Sequence, residues 1–495
     1  MDSKCFLNCA MLTDFYELTM MQGYFLQKHD PLAAFEMFFR RAPFDGGFAV
    51  FAGLETLMKS IADFRFEAED LDYLAEQKVF RKSFLDYLAD FKFGGEIHAM
   101  EEGTLAFPNE PLIRVQAPLI EAQLLESLLL NIINFQTLIA TKAARIYLAS
   151  EGGAIFEFGM RRAHGVNGAL GATRAAFIGG AAGTSNTLAG KLYGIPVKGT
   201  MAHSWIMSFE SELAAFQKYA DVYPDGCILL IDTYDTLKSG LDNAIKIGKK
   251  LQEQGHDSFG VRLDSGDLEY LSKRVRERLD QAGLKNAKIA ASNELDEGII
   301  HQLITEKAPI DIWGVGTHLV TAKSDPALTG VYKLMAKEVD GKFVPTIKVS
   351  NNPEKISDPG IKQVNRFYNG SGSPIADLIT LDGEELEVGP PYRFYHPRYP
   401  YRFLDVAEYQ DIKPLLHPVM KEGKVLVDFP DLKTIQKRTK DNLGALDDTY
   451  KRLINPHVYK VSLSEKLKDL KFGMIAEYER AARRSSAVQK GSDSQ

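Results

Sequence analysis

Apolar residues recur along the chain with different rhythms, and the changes of rhythm divide it. Residues 14–27 place Phe15, Leu18 and Met21 at helical spacing, with Thr13 or Asp14 positioned to cap and Tyr16 in the first turn. Residues 33–40 (AAFEMFFR) alternate as a strand does, Gly46-Gly47 makes a turn, and 54–64 and 71–89 return to helical spacing. From 92 to 117 the runs shorten and Gly103, Pro108 and Pro111 punctuate them, which predicts a small β subdomain. The stretch 120–149 reads as a long helix, whole or broken once.

From 154 onward, short apolar runs end in polar or glycine residues and a helical pattern follows each. The runs are 154–158, 197–199, 227–232, 259–264, 288–292, 311–314 and 331–336. This is the rhythm of parallel strands joined by crossover helices. About seven such strands predict an irregular parallel α/β barrel whose strand C-termini carry the chemistry. Beyond 337 the rhythm fades. Hairpins are expected around Asp340-Gly341 and Asp382-Gly383, a polar helix or loop over 435–446, a helix over 464–484, and a frayed end in SSAVQKGSDSQ. The expected division is a mixed α+β domain from 1–120 and about 340–410, a barrel-like catalytic domain over 121–339, and a C-terminal helical extension over 411–495.

With 495 residues, 45% hydrophobic and 25% charged, the chain can bury ordinary globular cores. A formal net charge of −7 argues against a nucleic-acid surface, so any anion site must be local. Three cysteines (Cys5, Cys9, Cys227) suit a reducing cytoplasm, and the Cys5–Cys9 pair lacks partners at zinc-finger spacing. The first residues carry no long apolar run, and Glu121, Gln123 and Glu126 interrupt the most apolar long segment, 120–135. Neither an export signal nor a membrane span is expected, and the expected location is cytoplasmic.

Candidate chemistry collects at the ends of the runs: Arg161, His203, Asp232, Arg262 with Asp264, Ser292 with Asn293, and Thr317. Arg161 and Arg162 follow Phe158 closely, which offers a flat anion an aromatic face and a guanidinium fork. A surface arginine beside a core phenylalanine would read the same way. The run GGAAGTSN (179–186), ending in Ser185 and Asn186, can present amides to an anion or let a helix pack closely; it is not a P-loop. His203, in GTMAHS (199–204), is structural if alone; beside an anion site it can move a proton or accept a phosphoryl group. In GVRLDSGD (260–267) alternation puts Arg262 and Asp264 on one face. Such a strand end suits a ribose or a Mg²⁺-bound phosphate, with Asp264 and Asp267 as candidate ligands and no ligand set assigned. Gly314-Val315-Gly316-Thr317 follows an apolar run, as phosphate loops of α/β barrels do.

Taken in order, LTDFYELTM (12–20), EFGMRRA (157–163), GTSN (183–186), GTMAHS, VRLDSGD (261–267) and GVGT (314–317) resemble the nicotinate phosphoribosyltransferases of the type II phosphoribosyltransferase group. The match weakens beyond about 340. The resemblance implies nicotinate and phosphoribosyl pyrophosphate as substrates, coupled ATP hydrolysis, Mg²⁺, a mixed domain packed on an irregular barrel, and a homodimer with shared active sites. It implies that His203 is transiently phosphorylated and that Phe158 and the partner's Tyr16 sandwich the pyridine ring. It also implies that Thr200 and Arg262 contact nicotinate or the ribose-phosphate, and that Thr317 with Gly314 and Gly316 holds the 5′-phosphate. Related nicotinamide-using enzymes carry an aspartate near the Gly-Thr turn. Here Ser185-Asn186 is uncharged, which favours the acid, and Asn186→Asp is expected to weaken nicotinate use about tenfold or more.

Two other readings stay open. One is a nicotinamide or quinolinate phosphoribosyltransferase, although quinolinate's two carboxylates call for a denser cationic pocket. The other is a catalytically silent ligand-binding relative, against which the joint presence of His203, Arg262, Asp264 and Thr317 argues. A sugar-phosphate enzyme on a regular barrel leaves Tyr16 without a role.

Overall fold

A computed structural model describes residues 10–352 and 355–492, without the side chains from 482 on; the Cys5–Cys9 pair lies outside the described residues. The βα rhythm folds as a six-stranded parallel sheet. Its strands are β1 (Ala154–Glu157), β2 (Gly183–Thr184), β3 (Cys227–Leu230), β4 (Phe259–Leu263), β5 (Lys288–Ser292) and β6 (Ile312–Val315), side by side in the order β2-β1-β6-β5-β4-β3. All but the two-residue β2 are mainly apolar runs, as strands covered on both faces require. Leu229, Val261 and Ile289 are fully buried, and α5 (Leu241–Glu253) lays Leu241, Ala244, Ile247 and Leu251 into the same core. Register puts Ser292 opposite Gly314 and Gly314 opposite Phe156, so the polar ends of neighbouring strands come level.

The sheet is open, with β2 and β3 as edges, so the irregular barrel is a half-barrel. Two expected strands are missing from it. Residues 197–199 contribute one bridge, Val197 to Thr184, because Lys198 and Gly199 give a ladder nothing to bury. Residues 331–336 belong to Gly330–Val339, which pairs antiparallel with Leu32–Phe39. Lys333, Lys337 and Glu338 within it suit a strand with one wet face, not a parallel strand buried on both. Helices of this unit start at side-chain caps: Asn186 for α2 (Thr187–Tyr193), Asp267 for α6 (Leu268–Gln281) and Asp296 for α7 (Glu297–Thr305). Other helices of the unit are α1 (Gly165–Ile178), α3 (His203–Met207), α4 (Glu212–Val222), which starts at a Ser211 cap, and α8 (Thr317–Val320).

Two compact units divide the chain. The sheet above lies in the unit of residues 138–327 and 431–440. There the late segment is fixed by Gln436, whose amide donates to the carbonyls of Phe177 (2.6 Å) and Ala181 (2.8 Å). Inside the same unit Lys142 and Arg145 meet the buried Glu297 at 2.6 Å and 3.0 Å.

The other unit takes residues up to 137, then 328–430 and those from 441. It contains a seven-stranded antiparallel sheet, in the order Lys342–Pro345, Gly330–Val339, Leu32–Phe39, Ile113–Pro118, Glu96–Ala99, His417–Lys421, Lys424–Val425. Its second, six-stranded sheet runs Phe403–Val406, Tyr392–Tyr395, Val461–Leu463, Pro374–Leu381, Lys362–Tyr368, Asp411–Pro414. The segment after 410, expected as a helical extension, therefore supplies strands to both sheets before the helix Glu465–Ser492. That helix runs on to Ser492 through residues expected to fray; 493–495 lie outside the described residues.

Phe15–Gln27 is helical as expected, and the Asp340-Gly341 hairpin forms with both residues at positive φ, 51° and 74°. Asp382-Gly383 makes a turn but no hairpin. The carboxylate of Glu384 accepts from the Leu381 amide at 2.7 Å and the Ser464 hydroxyl at 2.8 Å, so the chain turns away instead of pairing. The stretch 119–149 is one unbroken helix, Leu119–Ala149. By length and composition it is apolar enough to cross a membrane, despite Glu121 and Glu126, but 61% of its most apolar window is buried in the fold, as in a core helix.

Candidate active site

The C-terminal edge of the parallel sheet gathers most of the residues singled out above. At β1, Phe156 and Phe158 lie nearly parallel, centroids 6.2 Å apart. Glycines make room for them: a Cβ on Gly183 would come 3.1 Å from the Phe156 ring, and one on Gly314 would come 2.8 Å from the Phe158 ring and 3.2 Å from Ser292. Phe158, Gly314 and Ser292 thus form one continuous wall. Between the two phenylalanines Glu157 turns inward and is buried. It accepts from the Thr184 hydroxyl at 2.6 Å, the Thr173 hydroxyl at 2.8 Å and the Gly159 amide. This anchors the turn that carries Arg161, which is exposed.

Beside it the first residue of α3 and the neighbouring strand ends carry a line of polar contacts. His203 Nδ1 is 3.1 Å from the Thr233 hydroxyl, and its Nε2 is 3.7 Å from Asp264 Oδ2. The other Asp264 oxygen accepts from the Ser292 hydroxyl. Asp232 Oδ2 receives the Ser265 hydroxyl at 2.6 Å and the Asp264 amide at 3.0 Å, while its Oδ1 is buried with no partner. Arg262 Nη1 donates to the Thr200 hydroxyl at 2.6 Å, and its Nε is buried with no partner. Burial lowers the pKa of the Arg262 guanidinium; Asp264 and Asp232 oppose that, and Arg161 is close enough to add to it. Two guanidinium groups near one another, one with a buried N–H left unsatisfied, are the makings of an anion site.

His203, Arg262, Asp264, Thr200, Ser292, Gly314 and Phe158 are brought together, with Gly316 following β6 and Thr317 opening α8. Ser185 sits at the end of β2, its amide donating to the Glu157 carbonyl at 3.0 Å. Asn186 is not free to read a ligand. It is buried, its side-chain oxygen caps α2 through the Ala189 amide at 3.2 Å, and its Nδ2 is 3.4 Å from the Thr173 hydroxyl. Asp267 likewise is a cap, accepting from the Tyr270 amide at 3.0 Å, so the better carboxylate partner for Asp264 is Asp232. Tyr16 belongs to the other unit, in the first turn of Phe15–Gln27, and is 48% exposed. The pattern of runs names Asp232 without a role and misses Thr233 and Glu157. A polar residue closing an apolar run was the available signal for the first; a hydroxyl one position later carries none.

Among the described residues no group of three or more His, Cys, Asp or Glu side chains is arranged to hold a metal alone. Mg²⁺ does not need one: it binds through one or two carboxylates plus substrate phosphates. The orphaned Asp232 Oδ1 beside Asp264 fits that mode.

Comparison with known proteins covers nearly the whole chain. Models of the nicotinate phosphoribosyltransferase (NAPRTase) family match residues 11–134 (N-terminal domain), 154–368 (the family's own model) and 361–471 (C-terminal domain). The chain is 45% identical to the nicotinate phosphoribosyltransferase of Bacillus subtilis over 92% of its own length and 93% of the relative's. It is 37% identical to that of Caenorhabditis elegans, with 92% of each chain covered. Human nicotinic acid phosphoribosyltransferase superposes with a TM-score of 0.82 at 30% identity, covering 93% of this chain and 99% of that one. A nicotinate-nucleotide pyrophosphorylase from Pyrococcus furiosus, at 22% identity and a TM-score of 0.69 over 90% and 97% of the two chains, shares the fold.

Proposed function

Since the chain belongs to the nicotinate phosphoribosyltransferase family and is an enzyme of NAD salvage, we propose that it joins nicotinate to phosphoribosyl pyrophosphate and couples the step to ATP through His203. In the transfer, the pyridine nitrogen bonds to the anomeric carbon as the bond from that carbon to the pyrophosphate oxygen breaks. The transition state is oxocarbenium-like, and the nitrogen lone pair needs no base. The site's task is therefore to position a flat acid and a sugar bearing two anionic groups.

Phe158 offers one face to the ring, and Tyr16 of the partner subunit the other, in a homodimer located in the cytoplasm. Arg161 and Arg262 meet the carboxylate and the phosphates. Asp264 and Ser292 hold ribose hydroxyls, and Gly314, Gly316 and Thr317 take the 5′-phosphate. Asp232 and Asp264 would hold Mg²⁺, which neutralises charge on the departing pyrophosphate.

The observation that carries the reading is the line Thr233–His203–Asp264–Ser292 along adjacent strand ends. With its Nδ1 proton donated to Thr233, His203 keeps a lone pair on Nε2. That nitrogen forms a bond to the γ-phosphorus of ATP as ADP leaves, and water later cleaves the phosphoramidate. Incubation with γ-labelled ATP is expected to leave acid-labile phosphate on the parent protein and none on His203→Ala. Absence of label from the parent, with no gain in turnover from ATP, removes the coupling; absence of turnover on nicotinate, nicotinamide and quinolinate alike favours a silent relative.

A further inference from the structure

The loop that follows β5 is held at positive φ, which Asn293 tolerates and Glu294 disfavours. Asn293 and Glu294 both take positive φ, 80° and 44°, and neither is glycine. Adjacent left-handed residues of this kind persist only where the surroundings over-determine them, most often at functional sites. Here the surroundings are His318, the second residue of α8, directly after Thr317 and 8% exposed. Its Nε2 is 2.9 Å from Glu294 Oε2 and its Nδ1 is 3.2 Å from Asp296 Oδ2. Lys323 Nζ lies 2.9 Å from the same Nε2 and 3.7 Å from Glu294 Oε2. Protonated on both nitrogens, the ring donates to both carboxylates. With Nε2 bare it still donates from Nδ1 to Asp296 but reaches Glu294 only through Lys323, which donates to Nε2 and lies 3.7 Å from the carboxylate. The direct bridge to both carboxylates belongs to the doubly protonated ring.

The far end of the tie is fixed too. Asp296 Oδ1 caps α7 through the Ile299 amide at 2.9 Å, and the next residue is Glu297, pinned by Lys142 and Arg145. The near end adjoins the proposed chemistry. Ser292, two residues before Glu294, donates to Asp264, and Thr317 immediately precedes His318. One imidazole therefore connects the loop after β5 to α8, whose first residue is Thr317.

We propose that His318 is a positioning residue for the sugar-phosphate donor. By bridging Glu294 and Asp296 it fixes the distance between the ribose side of the site (Asp264, Ser292) and its 5′-phosphate side (Gly316, Thr317). The proposal rests on that assignment of the two sides, so its test includes a variant that reads the assignment alone. Steady-state kinetics of His318→Ala, His318→Gln, Glu294→Ala and Thr317→Ala, with melting curves, give the readout. His318→Ala and Glu294→Ala are expected to raise the KM for phosphoribosyl pyrophosphate about tenfold, leaving the KM for nicotinate within about twofold and kcat within about threefold. His318→Gln, which keeps a donor for Asp296, recovers part of the loss. Glu294 is exposed, so its removal tests the loop without threatening the fold.

An unchanged donor KM in His318→Ala and Glu294→Ala, beside a raised one in Thr317→Ala, overturns the clamp and leaves the phosphate assignment standing. An unchanged donor KM in Thr317→Ala overturns both. Equal loss on both substrates with a lower melting temperature in His318→Ala, and no effect in Glu294→Ala, makes His318 a structural residue only.

Discussion

At Asn186 a side chain expected to face the substrate serves the backbone instead. Its carboxamide oxygen caps α2 and its nitrogen faces Thr173, whose hydroxyl is already given to Glu157. Asn186→Asp would keep the cap but place a second buried carboxylate beside Glu157. The expected result is a lowered melting temperature; a variant as stable as the parent with nicotinate kcat/KM down tenfold would instead support the charge-selection idea. Cys227 gives a second test at this scale. It is fully buried, and burial pushes its thiol up to about 12, so almost no thiolate exists at neutral pH. Iodoacetamide should leave the peptide carrying Cys227 unmodified in the native protein and label it in denaturant. The site motifs were legible because arginine, aspartate and histidine at the ends of apolar runs are hard to explain otherwise. Glu157 was not, because its three donors come from residues that only the fold assembles.

Among the elements, the six-stranded sheet of the unit that takes residues up to 137 and 328–430 holds a buried charge group that ties strand to strand. Arg366 on Lys362–Tyr368 grips Asp377 on Pro374–Leu381 through Nε and Nη2, at 2.9 Å and 2.6 Å, and the Tyr459 hydroxyl donates to Asp377 at 2.8 Å. Glu110 is buried beside them, and burial together with the neighbouring Asp377 raises its pKa well above the usual carboxylate range. The folded chain then holds a proton that the unfolded chain releases. Stability owed to Glu110 is complete below the ordinary carboxylate pKa and falls as pH rises above it. Glu110→Gln fixes the neutral form, so urea unfolding should show its stability relative to the parent increasing from about pH 5 to about pH 8. A difference that stays flat with pH would mean that Glu110 is ionised in the fold. Elements with a strong period were readable from sequence, above all β4, β5 and the helix Phe15–Gln27. Gly330–Val339 was misplaced because an apolar run shows that a strand exists but not which sheet receives it. Val197 was misplaced because Lys198 and Gly199 beside it give a ladder nothing to bury, which leaves one bridge to Thr184.

For the whole molecule, the least legible property is the order in which distant segments meet. Val461–Leu463 lies between Pro374–Leu381, to which it is parallel, and Tyr392–Tyr395. No local pattern announces that three late residues form an interior strand. A chain ending at residue 460 should be insoluble on expression, whereas one ending at Arg484 keeps every strand and should match the parent in melting temperature and turnover. Soluble, active protein from the shorter chain would show that strand to be dispensable. Gln436 sets a similar dependence for the parallel-sheet unit, since its partners Phe177 and Ala181 lie far upstream. On the ribosome this has a cost in time. At about 5–20 residues per second, the stretch between residues 327 and 431 takes on the order of ten seconds to emerge. Until then the carbonyls of Phe177 and Ala181 lack the donor that Gln436 brings. Codons that slow translation through that stretch should increase the load on holdase chaperones.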